Sequence, residues 1–316
     1  MRALLIINPF ATTATPGCAE LLERAVGGLT SVEAVETTHR GHAGELAAQA
    51  VHDGIDLIVA HGGDGTVNEV VNGILGTPTE FVAGRPVPKL AVLPGGSANV
   101  FARSNRIPTS SAKAAAALAK WLESGQERRV GLAHTEDRWF TFTAGLGLDA
   151  HVCDLIDQQR ARGKSASSLR YVVSAFSAFF SEDREKPTLT VYLPGKAPVP
   201  DLFFAFVSNT SPWTYLGPIP VRTNASTRHG EGLGVFALRT MNLLPILMTA
   251  GQMLWRRGGP RARDVLRDDN VASVRLASTK PLPFQVDGDY LGFRTEVEFF
   301  AVPDTLSVVA PSKTAG

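Results

Sequence analysis

"IDLIVAHGGDGTVNEVVNGIL", residues 55–75, passes from a short apolar run through a glycine-rich loop into a helix-like pattern. A strand, a tight loop and a helix in that order form the βα unit of a parallel sheet. In such sheets, ligands bind beyond the carboxyl ends of the strands. Gly62, Gly63 and Gly65 let the backbone turn sharply and approach a ligand with no Cβ in the way. The unpaired N–H groups opening the next helix suit a phosphate. Asp64 would repel a bare phosphate, so an acid among those donors points to Mg²⁺ accompanying a nucleotide, or to a hydroxyl.

Outward from this unit the pattern repeats. "RALLIIN" (2–8), "VEAVETT" (32–38) and "KLAVLP" (89–94) read as further strands, with helices expected over 17–29, 43–54 and 110–125. Largely apolar strands separated by helices indicate a sheet covered on both faces. After residue 130 the texture changes to "RWFTFTAG", "TLTVYLP", "DLFFAFVSN", "LGVFALR", "ASVRLAS", "LPFQVDG", "TEVEFFAV" and "LSVVAP". These are strands separated by turn residues, several of them alternating, and they predict an antiparallel sandwich with helical inserts near 150–182 and 242–257. The expected class is therefore α/β: a doubly wound, mostly parallel domain over 1–130 and a β-sandwich over 131–302, packed on a shared cleft.

A second loop of the first kind follows the next strand, "LAVLPGGSANVFARS" (90–104), with Gly95, Gly96, Ser97 and Asn99 ahead of another helix start. Two such loops on adjacent strands are far more specific than either alone. "GLGLDA" (145–150) fits a dinucleotide fingerprint but lies in the β-rich half without a βαβ unit. "QQRARGKS" (158–165) ends like a P-loop but lacks its first glycine and its strand.

The 316 residues carry a net charge of +1, which argues against a dedicated nucleic-acid binder. Cys18 and Cys153 have no metal-ligand spacing and form no disulfide framework, which suits a reducing compartment. No signal peptide or membrane-spanning run is visible, so a soluble cytoplasmic protein is expected, in peripheral contact with the inner face of the membrane.

"GGDGTVNEVVNGI" followed by "LPGGSANVFAR" resembles the catalytic domain of the diacylglycerol kinase family, which includes bacterial lipid kinases and sphingosine kinases. "INP" (7–9), "TTHRGHA" (37–43), "GLGLDA", "SNTSPWTYLG" (208–217) and "VDGDYLG" (286–292) extend the likeness along the chain. The resemblance implies a lipid kinase that takes ATP and Mg²⁺, with the tail, about 303–316, returning to the first domain. It places nucleotide contacts at Asn8, Thr37, Gly62, Gly63, Asp64, Gly65, Thr66, Asn68, Gly95, Gly96 and Ser97. It also implies a general base at Asp289 and a structural Mg²⁺ held by Glu231 with the carbonyls of Arg228 and Leu233. "HGEGLG" departs from the family's acidic run there, and Val100 stands where many members carry an aspartate. Asp149 matches a position that meets the lipid headgroup in related sphingosine kinases, and is equally a helix N-cap.

Phosphoryl transfer needs positioning, charge neutralisation and a base beside the attacking hydroxyl. Gly62, Gly63, Gly65 and Thr66 are assigned to the phosphates, Asp64 to the Mg²⁺-nucleotide and Asp289 to the acceptor's proton. If the segment is extended, Asp287 shares a face with Asp289, and like charges raise one pKa. The same four residues also read as an Asp-Gly hairpin turn. The acceptor is a primary hydroxyl of diacylglycerol or a similar lipid. Alternatives are an NAD kinase-like enzyme with a soluble acceptor, or a non-catalytic sensor. "MNLLPILMTAGQMLWRRGGPRAR" (241–263) joins an apolar helix to arginines that suit an anionic bilayer. "LRYVVSAFSAFF" (169–180) is a second apolar candidate. Both also suit packing on the sandwich or a homodimer contact.

Overall fold

The computed structural model describes residues 1–11, 20, 31–147, 186–255 and 259–312. Asp149, both cysteines, the 150–182 insert, the 169–180 run and all of the 17–29 helix but residue 20 lie outside them. Two compact units divide the chain: residues 1–132, 137–139 and 304–316, and residues 133–136 with 140–303.

The first unit is built on β1 (Arg2–Ile7), β2 (Ser31–Glu36), α1 (His42–His52), β3 (Leu57–Gly62), α2 (Asp64–Leu75) and β4 (Lys89–Pro94). The strands run parallel in the order β2-β1-β3-β4. β3 is buried at every position and β4 at all but Lys89, while β2, at the edge, is mostly exposed. That is why "LIVA" and "LAVL" are continuously apolar, whereas "VEAVE" is mixed. Next come α3 (Val100–Ser104), α4 (Ser111–Glu123) and β5 (Arg128–His134). Residues 304–308, the end of the last strand, also belong to this unit, with Val308 paired in parallel to Leu90.

α1 and α2 meet at two glycines. A Cβ on Gly73 would lie 2.2 Å from the Gly44 carbonyl oxygen. This contact explains a glycine in the middle of "VNEVVNGIL", where helix propensity alone disfavours it by about 1 kcal/mol.

The second unit is antiparallel. It contains β6 (Trp139–Phe140, entering at Phe140), β7 (Thr143–Leu146), β8 (Leu189–Tyr192), β9 (Val199–Leu202), β10 (Phe204–Ser208), β11 (Thr214–Leu216) and β12 (Ile219–Val221). It continues with β13 (Leu233–Leu238), α5 (Leu243–Trp255), β14 (Val265–Val271), β15 (Ser273–Val286) and residues 289–303 of β16 (Asp289–Val308). β14-β13-β10-β7-β15 form one run of strands, and β8 and β9 extend from the first half of β15. The sequence reads four strands where the structure has two long ones, β15 and β16. Their register shifts between Ala277 and Leu282 and between Pro283 and Gln285. Pro281 and Pro283 fall at these irregularities, where a missing N–H costs least.

β10 alternates between two cores. Ala205 and Val207 point into the main cluster with Leu146, Leu189, Val235, Leu276 and Phe299. Phe204 and Phe206 point the other way, to Phe236, Leu238 and Met241, against which Ile246 and Met253 of α5 pack. The glycines of "GLGLDA" serve this packing: a Cβ on Gly145 would lie 2.6 Å from Phe206 Cβ, and one on Gly147 2.7 Å from Phe204 Cβ.

Candidate functional site

Four parallel strands end side by side in the first unit, and the predicted residues follow those ends. Asn8 follows β1, Thr37 follows β2, Gly62 through Thr66 join β3 to α2, and Gly95 through Ser97 follow β4. The Asn8 amide Nδ2 donates to Thr66 Oγ1 at 2.9 Å, and its Oδ1 accepts the Phe10 N–H at 2.9 Å. Thr37 is buried, its N–H donating to the Ile7 carbonyl at 2.8 Å. Gly41, in the same "TTHRGHA" segment, donates its N–H to Glu69 Oε1 of α2 at 2.9 Å. Glu69 thus ties this loop to α2, and as an acid on a helix it carries no signal in the sequence.

The glycines divide by what surrounds them. The Gly95 N–H donates to the Gly62 carbonyl at 2.7 Å. A Cβ on Gly96 would lie 2.7 Å from Gly63 Cα, one on Gly95 3.2 Å from Gly62 Cα, and one on Gly62 2.4 Å from Thr66 Oγ1. Gly95 and Gly96 are glycine because the two loops lie backbone against backbone, and Gly62 because the Thr66 side chain fills the space of its Cβ. Gly65 differs. It is exposed, in the first turn of α2, and a Cβ there would meet nothing within 4 Å. The fold's own packing does not require a glycine at that position.

Asp64 answers to the neighbouring helix. Its Oδ2 accepts the Val100 N–H and its Oδ1 the Phe101 N–H, each at 3.0 Å. Both are unpaired donors at the start of α3, so the carboxylate caps that helix and meets the positive end of its dipole. A metal is therefore not needed to explain an acid here. Val100 is completely buried, and its part in the site is its backbone N–H. Asn99, at φ 49, closes the second loop by accepting the Gly96 N–H at 2.9 Å and donating to the Gly96 carbonyl at 2.6 Å. Ser97 is exposed beside it.

Asn68 bonds to the protein itself. It is completely buried, donates to the Trp139 carbonyl at 2.9 Å and accepts from Arg138 Nη2 at 2.7 Å. It lies one turn past Asp64, on the face of α2 that also buries Val71 and Leu75, and these bonds hold the helix in place.

In the second unit, "VDGD" is a turn, and the expectation of two acids on one extended face is overturned. Val286 pairs with Asp289 across Asp287 and Gly288, whose φ values are 49 and 84, the signature of a type I′ hairpin. Asp287 is buried. Its Oδ2 accepts the Thr141 N–H at 2.6 Å and Thr141 Oγ1 at 2.7 Å, and its Oδ1 accepts the Phe142 and Thr143 N–H groups at 2.9 Å each. Burial pushes this carboxyl up and the donors from Thr143, Thr141 and Phe142 push back. Asp289 opens β16, half-buried, at the position set by this anchored turn.

At the residues expected to hold a structural Mg²⁺, the carboxylate is exposed and already beside a cation. Glu231 is exposed, its Oε2 3.7 Å from Arg228 Nη1, and its N–H occupies the Arg228 carbonyl at 3.0 Å. Leu233 pairs with Val271 in the sheet. Among the described residues no three acidic, histidine or cysteine side chains converge. A cation beside a lone carboxylate opposes a divalent metal.

Residues 2–134 match the family model of the diacylglycerol kinase catalytic domain. Diacylglycerol kinase from Staphylococcus aureus (strain JH9) is 34% identical over 151 residues, covering 46% of this chain and 44% of that protein. The chain thus matches less than half the length of this relative. A diacylglycerol kinase structure from Bacillus anthracis str. Sterne superposes with a TM-score of 0.71 at 20% identity, over 98% of this chain and 96% of that one. An NAD kinase from Archaeoglobus fulgidus, solved in complex with ATP, gives 0.52 at 13% identity, over 99% and 95%. The resemblance first read from the two glycine loops therefore holds: over residues 2–134 the chain carries the diacylglycerol kinase catalytic-domain signature.

Proposed function

We propose that this protein is an ATP-dependent lipid kinase that transfers the γ-phosphoryl group to a primary hydroxyl of diacylglycerol or a similar lipid. Gly65 is the observation that carries the nucleotide half of this reading. A glycine in the first turn of a twelve-residue helix, facing open space, destabilises that helix and fills no packing need. A phosphate approaching the N–H groups of α2 supplies the reason. Asn8, Thr37, Thr66, Gly96 and Ser97 follow the same strand ends and are assigned to the nucleotide with it.

Asp289 is assigned as the base. It takes the proton of the acceptor hydroxyl as the oxygen attacks the γ-phosphorus, the bond from phosphorus to the β–γ bridging oxygen breaks, and ADP leaves. Asp287 is a positioning residue: its four hydrogen bonds fix the turn from which Asp289 projects. Mg²⁺ enters with ATP as part of the substrate.

The NAD kinase likeness supports a second acceptor, but the lipid kinase relatives match at higher identity and with a higher TM-score. Purified protein with γ-labelled ATP is offered diacylglycerol, a sphingoid base and NAD in separate reactions. Label in a lipid and none in NAD is the expected result. Label in NAD alone overturns the lipid assignment, and Mg-ATP binding with no transfer to any acceptor makes the chain a sensor.

A further inference from the structure

Helix α5 has two apolar faces and no charged residue in thirteen positions. Ile246 and Met253 pack against Phe204, Phe206, Phe236 and Leu238. The remaining surface should be polar for a helix that simply covers a sheet. Instead Leu243, Leu244, Leu247, Met248 and Trp255 are 44%, 69%, 48%, 59% and 86% exposed. Ile219, on the neighbouring β12, is 50% exposed as well. Apolar residues gathered on one exposed helix mark an interaction surface, unlike single scattered ones.

Charge identifies the occupant. The Arg261 N–H donates to Gln252 Oε1 at 2.9 Å and the Arg222 N–H to the Met253 carbonyl at 2.9 Å, which brings both arginines to the last turns of α5. Arg261 and Arg263 are exposed, as is Arg239, whose N–H donates to the Asp264 carbonyl at 2.8 Å. Asp264, half-buried, is the acid placed among them. Arg256 and Arg257 lie outside the described residues. At about 20 Å long, α5 is too short to cross a bilayer but suits lying in its surface. Arginines at one end of such a face favour anionic headgroups, and a tryptophan at its tip suits the interface.

We propose that α5 docks the protein on an anionic bilayer, with Leu244, Met248 and Trp255 entering the acyl boundary and Arg261 and Arg263 meeting the headgroups. The proposal takes its purpose from the lipid-kinase reading, but its test does not depend on that reading. The full chain is sedimented with phosphatidylcholine vesicles made with and without phosphatidylglycerol, beside Leu244→Glu/Met248→Glu and Arg261→Gln/Arg263→Gln. The wild type should bind the anionic vesicles preferentially. The glutamate pair should weaken binding by about tenfold or more, and the glutamine pair should remove most of the preference for anionic lipid. Brominated lipids should quench tryptophan emission in the wild type and much less in Trp255→Phe. Unaltered thermal melting and Mg-ATP affinity show that the variants are folded.

Vesicle binding that ignores both pairs of substitutions overturns the proposal. So does a wild-type dimer in sedimentation that Leu244→Glu/Met248→Glu converts to monomer without any vesicle binding, which would assign the face to a second copy. Vesicle binding that persists while no label reaches even a short-chain acceptor in solution would instead sink the kinase reading and leave the docking intact.

Discussion

A glycine in a loop has two explanations, and their consequences on substitution are opposite. Gly96→Ala places a methyl group against the Gly63 backbone at 2.7 Å, so the two loops must part, at a cost of about 1–3 kcal/mol. Gly65→Ala places it in open space on a helix, so stability should stay level or rise by up to about 1 kcal/mol while Mg-ATP affinity falls. Urea unfolding and calorimetric titration of both variants separate the two. Equal destabilisation by Gly65→Ala and Gly96→Ala would mean Gly65 is a packing glycine too. Asp64→Asn carries a related warning. It replaces one acceptor by an NH₂ group facing the N–H of Val100 or Phe101 and should cost about 1–2 kcal/mol. Loss of activity in that variant is therefore no proof of a metal. The carboxylate's helix-capping role could not be read from "GGDG", because its partners lie 36 and 37 residues away. The bonds of Asn68 are equally hidden from the sequence, because Trp139 and Arg138 lie 71 and 70 residues away.

Among the elements, β3 contains one polar anomaly. His61 is completely buried one residue before the glycines, and neither ring nitrogen has a hydrogen-bond partner among the described residues. Desolvation holds its pKa below the ordinary 6.5. The unfolded chain therefore takes up a proton as pH falls through 6.5, and the folded chain does not until the lowered value is reached. Stability conferred by neutral His61 is full above 6.5 and is lost below it, at up to about 1.4 kcal/mol per pH unit. Urea midpoints from pH 7.5 to 5.5 should fall more steeply for the wild type than for His61→Leu, and parallel slopes would refute this. The parallel strands and α1, α2, α4 and α5 were legible because each is long and apolar or strongly periodic. β14 was not: "VLRDDNV" is half-exposed at a sheet edge, where charged residues are tolerated and the alternation disappears. β15 reads as two strands in the sequence because its prolines look like breaks, although they sit at irregularities in the register.

For the molecule as a whole, the first unit is completed only by the end of the chain. Leu306, Val308, Val309 and Ala310 are buried, Leu132 donates its N–H to Thr305 Oγ1 at 3.1 Å, and Arg129 binds the Asp304 carbonyl. Ending the chain after Pro303 removes burial worth about 5 kcal/mol or more, comparable with the stability of an ordinary domain. The truncated protein should lose Mg-ATP binding and cooperative thermal unfolding of this unit, and wild-type behaviour in both would contradict the assignment. Composition and motifs point to a returning tail only through a family resemblance, since residues as far apart as Leu132 and Thr305, or Leu90 and Val308, leave no local trace of their pairing. The central claim is phosphoryl transfer to a lipid hydroxyl, with Gly65 giving room to the nucleotide and Asp289 taking the proton. Its most direct test is the initial rate of γ-label transfer from ATP to diacylglycerol in mixed micelles by the wild type, Gly65→Ala and Asp289→Asn. Rapid transfer by the wild type, a raised KM for ATP in Gly65→Ala, and a kcat lower by about 100-fold or more in Asp289→Asn with ATP binding retained are expected. A wild type that transfers no label to the lipid, or an Asp289→Asn variant as fast as the wild type, would contradict it.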